Sequence, residues 1–266
     1  MDESPLQAHR RKPGSSVRVA AAAVARGEAG ALFSAGHTGA TFLAARAAFG
    51  ILPGVDRPAL AVTVPTRAGA ALLLDAGANI DCLPEHLCQF GVMGAAYAHV
   101  ALHIDRPRVG LLSIGEEAGK GNDLIREAHA LLSRAPIEFL GNLEAREFFS
   151  GRADVIVCDG FTGNIALKVG EGLAELAQEM VREELGAELV SQIGGLLTRR
   201  AFARFRQRVD YAERGGAPLL GLAGLAVVGH GRSSPQAVES GIAMAARLAE
   251  QQVVSRLAEA MASNSA

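Results

Sequence analysis

The sequence predicts an α/β protein with a mostly parallel sheet flanked by helices. Three observations carry that prediction: short apolar runs recur along the chain, each ends in a Gly-rich loop, and each loop leads into a segment with helical apolar spacing. Residues 31–34 (ALFS) form the first run, followed by Ala35-Gly36-His37-Thr38-Gly39 and an Ala-rich helix to about Phe49. Residues 59–64 and 71–75 read as two strands of a hairpin, with Gly69 in the connection. Pro84 suits the first turn of a helix reaching about His103. A strand at 109–114 (VGLLSI) then enters a Gly-rich loop and a helix over 123–133. A strand at 155–159 (VIVCD) enters Gly160-Phe161-Thr162-Gly163-Asn164 and a long helix with Ile165, Val169, Leu173, Leu176 and Met180 on one stripe. Ser234-Pro235 opens a last helix that carries Val238, Ile242, Leu248, Val253 and Leu257.

At roughly 150 residues per domain, 266 residues allow one large domain or two small ones. No internal repeat, low-complexity tract or composition shift marks a linker, so a single domain over residues 1–266 is expected. A protruding amphipathic helical hairpin is expected at about 184–208. There Leu189, Val190, Ile193, Leu196 and Leu197 make an apolar patch, interrupted by Gly194-Gly195 and followed by Arg199, Arg200, Arg204, Arg206 and Arg208. A basic stretch beside an apolar patch suits anionic lipid headgroups or an acidic protein surface, and the patch alone would also suit a dimer core.

Composition excludes several classes. Hydrophobic residues make up 49% and charged residues 20%, with 28 acids against 26 bases, so neither a disordered chain nor a nucleic-acid binder is expected. Apolar stretches are broken well before about 18 residues, and Met1 is followed by Asp2, Glu3 and a basic run, so neither a membrane span nor a signal peptide is expected and the cytoplasm is the default. Cys82, Cys88 and Cys158 match no metal spacing and read as small apolar residues. Lys occurs only at Lys12, Lys120 and Lys168, so 23 of the 26 Lys and Arg residues are Arg. A Lys kept in such a chain stands where a compact ammonium is wanted rather than a planar fork.

In α/β sheets ligands bind where strands end and helices begin, because the first helical N–H groups attract anions. In Gly115-Glu116-Glu117-Ala118-Gly119-Lys120-Gly121-Asn122, glycines flank a Lys ahead of a helix, so backbone amides and an ammonium can surround a phosphate-sized anion. The alternative is a solvated turn, and the phosphate-loop pattern Gly-x4-Gly-Lys-Ser/Thr is not met. The loop from Asp159 to Asn164 offers a carboxylate, the Thr162 hydroxyl and the Asn164 amide, against the simpler reading that Asn164 caps the helix. The loops Gly36-His37-Thr38-Gly39 and Asp75-Ala76-Gly77-Ala78-Asn79 have the same strand-end character.

Six segments in order resemble the phosphate acyltransferase (PlsX) family of bacterial phospholipid synthesis over nearly the whole chain. They are Ser34 to Ala40 (SAGHTGA), Leu74 to Asn79 (LDAGAN), Ile114 to Glu117 with Lys120-Gly121-Asn122, Gly141 to Arg146 (GNLEAR), Cys158 to Asn164 (CDGFTGN), and Tyr211 to Leu220 with His230-Gly231. The resemblance implies a Rossmann-like fold related to isopropylmalate dehydrogenases and phosphotransacetylases. It implies transfer of a fatty acyl group from acyl carrier protein to inorganic phosphate, giving acyl phosphate, with no metal or organic cofactor. Its implied partners are a second copy of the chain, anionic membrane and a glycerol-3-phosphate acyltransferase. On this basis Lys120 and Asn164 are the expected catalytic residues. Gly36, His37, Thr38, Gly39, Asn79, Glu116, Gly121, Asn122, Asn142, Asp159, Gly160, Thr162 and Gly163 are expected to line the substrate and phosphate site. Leu189, Ile193, Leu197, Arg199 and Arg200 belong to the expected membrane or partner arm.

Two departures accompany the resemblance. His37 stands where the family usually has Asn, and the strand and Asp-Ala-Met-Gly-Gly-Asp loop that open family members are missing ahead of this stretch, so the chain is expected to be truncated relative to the family. Two other readings stay open at this point: a phosphotransacetylase-like enzyme acting on acyl-CoA, and a non-catalytic fragment that binds partners. A dehydrogenase relative would need a cluster of metal-binding Asp residues that the sequence does not offer.

Overall fold

Alternation of apolar side chains decides what each strand buries. Leu72 and Leu74 point to one side of the sheet and Leu73 to the other, and Val155 and Val157 are likewise separated from Ile156, so the sheet carries a hydrophobic core on each face. These are features of a computed structural model that describes residues 4–187, 194, 197–203, 205, 215–231 and 233–264.

The described elements are α1 (Pro5–Arg11), α2 (Ser16–Ala25), β1 (Leu32–Ser34), α3 (Thr38–Phe49), β2 (Ala59–Thr66), β3 (Gly69–Leu74), α4 (Pro84–Leu102), β4 (Arg108–Ser113), α5 (Asp123–Leu132), β5 (Glu138–Glu144), β6 (Val155–Val157), α6 (Gly160–Ala187), β7 (Ala217–Leu220), β8 (Ala226–Val228), α7 (Pro235–Glu250) and α8 (Val253–Asn264). Among the described residues the strands form one sheet in the order β1-β8-β7-β2-β3-β6-β4-β5. Parallel pairing joins β1 to β8 and runs through β3, β6, β4 and β5. Antiparallel pairing joins β8 to β7, β7 to β2 and β2 to β3. Two parallel blocks of opposite direction thus meet across β7 and β2, and the loops leaving both blocks converge there.

The expected mostly parallel α/β sheet is present, with the hairpin of β2 and β3 as read from the sequence. Several elements differ from expectation. The last helix is two: Gln252 adopts φ 53, in the left-handed region, and the chain turns there. The turn lets Val253, Leu257 and Met261 bury with the α4 residues of one core, while Ile242 of the expected stripe stays exposed. Residues 141–144, which belong to one of the six family-like segments, lie in β5. The register of β4 and β5 shifts between Val109 and Gly110, and Gly141 takes φ 94, so turn-forming residues sit at a bulge. The stripe Ile165, Val169, Leu173, Leu176 and Met180 does not face the core; all five are exposed.

Candidate active site

The site is organised around the first turn of α6. Asp159 caps this helix: its Oδ1 accepts from the Thr162 N–H at 2.8 Å and its Oδ2 from the Thr162 hydroxyl at 2.7 Å. Asn164 therefore does not cap α6, and its side chain is free to face a cleft. The turn is pressed against the loop after β3. The Gly160 N–H donates to the Asn79 carbonyl at 2.7 Å, and a Cβ on Gly163 would fall 1.9 Å from the Asp75 carbonyl oxygen. No residue with a side chain fits at Gly163 without moving one backbone off the other.

That loop is held by one buried carboxylate. Asp75 Oδ1 accepts from the N–H groups of Leu60, Gly77 and Ala78 at 2.9, 3.1 and 3.0 Å. Its Oδ2 accepts from the Asn79 N–H at 2.7 Å and Asn79 Nδ2 at 2.8 Å. Burial pushes the Asp75 carboxyl up from its ordinary value, and the donated N–H groups oppose that shift. Asn79, expected in the substrate site, spends its amide here, since Nδ2 also donates to the Pro58 carbonyl at 2.8 Å. Its role is to build the loop, not to meet solvent.

Two cavities flank the turn on opposite faces of α6. The polar one, about 380 Å³, is lined by Thr38 after β1, Gly77 after β3, Asn164 and Lys168 on α6, Gly216 before β7 and His230 after β8. It lies where the two strand blocks meet. His37 caps α3 beside it, with Nδ1 accepting from the Gly39 N–H at 3.1 Å. A neutral imidazole does here what the carboxamide oxygen of Asn does at an N-cap, which accounts for His in this motif. The Gly36 N–H turns back to Ser34 Oγ at 3.3 Å. Lys168 pairs with Glu171 at 2.5 Å.

The second cavity, about 670 Å³, is apolar and touches Ser113, Gly121, Asn122, Asp159 and Thr162 at one end. Its rim is the Lys120 loop. Asn122 caps α5 through Oδ1, which accepts from the Ile125 N–H at 3.0 Å. Gly121 takes φ 97, open to glycine and strained for other residues. Buried Asn142 braces the loop, its Nδ2 donating to the Glu117 carbonyl at 2.8 Å and its Oδ1 accepting from His129 Nδ1 at 3.0 Å. Glu116 is engaged by Arg152 at 3.4 Å and Arg146 at 3.9 Å, so its charge is balanced within the loop cluster. The Lys120 N–H donates to the Glu117 carbonyl at 2.9 Å while its side chain is exposed, and its ammonium has no ion-pair partner among the described residues.

The expected residues thus divide. Thr38 and Asn164 line the polar cleft; Gly121, Asn122, Asp159 and Thr162 line the apolar one; Asn79, Asn142, Gly160 and Gly163 are the frame that holds both loops. In the arm, Leu197, Arg199 and Arg200 are exposed, and Leu189 and Ile193 lie outside the described residues. Lys168 and His230 were not singled out from sequence as site residues. For Lys168 the signal was available, because it sits four residues after Asn164 and so on the same helical face. Among the described residues no group of three or more His, Cys, Asp or Glu side chains could hold a metal ion. No described helix is long and apolar enough to cross a membrane.

Residues 1–256 match the family described as fatty acid synthesis protein. The chain belongs to this family. It is 51% identical over 249 residues to the phosphate acyltransferase of Acidobacterium capsulatum, covering 94% of this chain and 74% of that protein. It is 50% identical over 258 residues to the phosphate acyltransferase of Desulforudis audaxviator, covering 97% and 77%. A phosphotransacetylase structure from Streptococcus pyogenes superposes with a TM-score of 0.56 at 19% identity, over 92% of this chain and 67% of that one. That last likeness establishes the shared fold of the family member described here.

Proposed function

We propose that this chain is a phosphate acyltransferase that moves a fatty acyl group from acyl carrier protein to inorganic phosphate. Membership in the family and about half identity to phosphate acyltransferases over nearly the whole chain carry the reading. In the reaction a phosphate oxygen attacks the thioester carbonyl, a C–O bond forms as the C–S bond breaks, and the phosphate proton passes to the departing sulfur, leaving acyl phosphate and the thiol. Both reactants are already activated, so the protein has two tasks: to hold phosphate in line and to balance the charge that grows on the carbonyl oxygen.

Residues of the loops on either side of the first turn of α6 support these tasks. Lys120 supplies an ammonium with no carboxylate partner among the described residues, which supports a role in holding phosphate or the oxyanion. Asn164, released from capping by Asp159, supplies an amide donor toward the polar cleft. Thr38, Lys168 and His230 are further polar groups of that cleft. Exposed Leu197, Arg199 and Arg200 support a peripheral contact with an anionic surface, either cytoplasmic membrane or acyl carrier protein. The exposed stripe on the distal half of α6 supports a homodimer.

The test is consumption of an acyl carrier protein thioester by purified protein with and without inorganic phosphate. Phosphate-dependent consumption is expected, with Lys120→Ala about a hundredfold slower, as for loss of one transition-state contact of ~3 kcal/mol. Lys120→Arg is expected to lose most of the rate as well, because a planar fork cannot occupy the same point. Consumption that ignores phosphate, or a Lys120→Arg variant at the parental rate, would refute the assignment.

A further inference from the structure

An amphipathic helix ordinarily turns its apolar stripe to a core, and α6 does the reverse. Val169 and Leu173 are 64% and 61% exposed, yet they are not on a flat surface. Together with Phe161 and Ile165 they form one wall of the 670 Å³ cavity, and Phe148, Phe149 and Ile114 contribute the others. The volume lies in the range of roughly 300–1,000 Å³ typical of small-molecule sites. From Phe161 to Leu173 the groove follows the helix for about 18 Å at 1.5 Å per residue. Its length depends on Gly170: a Cβ there would stand 2.9 Å from Phe149 Cζ, so glycine lets the Phe149 ring lie against α6.

The chemistry of the walls selects the occupant. Among the described residues Asp159 is the one ionisable residue lining the cavity, and its carboxylate is engaged by Thr162. Among the described residues its polar lining gathers at one end, at Ser113, Asn122 and Thr162. Ser113 is 8% exposed, and its hydroxyl has no hydrogen-bond partner among the described residues. A buried hydroxyl is normally paired, so this one is a donor left for a ligand. Among the described residues the cavity reaches Leu173 and leaves Leu176 and Met180 outside, so it takes the proximal half of the stripe and leaves the distal half to a second copy of the chain.

We infer that this groove holds the hydrocarbon chain of the acyl substrate, with the carbonyl end at Ser113 and Asn122 and the methyl end toward Leu173. The inference rests on the acyl-transfer reading above and adds the subsite that reads chain length. Each methylene buried along the groove raises kcat/KM by about fourfold, the equivalent of ~0.8 kcal/mol, until the groove is full.

The test measures kcat/KM for a series of saturated acyl thioesters of acyl carrier protein and, separately, binding of the fluorescent fatty acid cis-parinaric acid. Ile165→Glu and Val169→Glu are expected to lower the ratio of long-chain to short-chain kcat/KM by about tenfold or more, the worth of two methylenes. Leu173→Glu, at the far end, is expected to act on the longest chains alone. Ile242→Glu, an exposed aliphatic of α7 outside the groove, keeps the parental ratio and parental parinarate binding. Chain-length ratios that stay parental in Ile165→Glu and Val169→Glu overturn the inference, as does a change in their association state without a change in ratio. If the parent consumes no thioester, the transfer reading fails by itself. Parinarate binding by the parent, and its loss in Ile165→Glu and Val169→Glu, then decides the groove independently, and absence of binding by the parent overturns it.

Discussion

Replacing Asp75 by Asn removes an acceptor from a buried point at which five N–H groups are aimed. Three of them converge on Oδ1 and two on Oδ2. The less harmful orientation of the new amide places its NH2 on the Oδ2 side, against the Asn79 N–H and Nδ2, where donor faces donor. Each stranded buried donor costs about 1–3 kcal/mol, so two cost about 4 kcal/mol. Relief of the burial that pushes the carboxyl up returns part of this, leaving a net loss of ~3 kcal/mol. At about 2–4 °C per kcal/mol for a chain of this size, Tm should fall by roughly 6–12 °C. The assay is urea and thermal unfolding followed by far-ultraviolet circular dichroism at neutral pH. Because the same loop presents Gly77 to the cleft and accepts the Gly160 N–H, acyl transfer should fall with stability. An Asp75→Asn protein within about 1 kcal/mol of the parent would show that the carboxyl is protonated in the native state and that something else holds the loop.

The remaining predictions concern other joints of the same frame. Gly163→Ala should abolish soluble expression or lower Tm more than any other single change named here, since its Cβ would meet the Asp75 carbonyl at 1.9 Å; parental unfolding behaviour would contradict the close approach. His37→Asn should keep stability and transfer, whereas His37→Ala should cost about 1 kcal/mol of cap energy; equal unfolding midpoints for the two would remove the capping role. Burial raises the Asp154 carboxyl, but the Arg108 side chain and N–H, at 2.9 Å, outweigh it and hold the carboxyl below its ordinary value. A lowered native value means that the pair stabilises above the unfolded Asp value of about 3.9 and that this contribution is lost as pH falls through the native one. The stability gap between parent and Asp154→Asn should accordingly shrink between pH 5 and pH 3, and a constant gap would disprove the linkage. Burial pushes the Cys82 thiol up to about 12 and raises Cys88 and Cys158 too, so iodoacetamide at neutral pH should label the thiols only on unfolding; rapid labelling of the native protein would count against that environment.

What the sequence determined by itself is what short-range rules govern. Strand alternation, Pro84 and Pro235 at helix starts and Ser234 as a cap act within one turn or one pleat, so β1 to β4, β6 and the helices α3 to α6 that follow them could be read directly. The polar loops could be read too, because strand-to-helix junctions combine Gly with small polar residues. Which of those polar groups meets a ligand was decided only by tertiary packing. Asn79 and Asn142 look like binding residues in sequence and are consumed inside, since the loops they brace need internal acceptors and donors satisfied. Asn164 looks like a cap and is released by Asp159, five residues earlier. The stripe on α6 has the spacing of a core helix, but periodicity states only that apolar residues share a face. Whether that face meets a sheet, a ligand or solvent depends on where the rest of the chain is packed, and here two cores on the sheet leave it to line a groove.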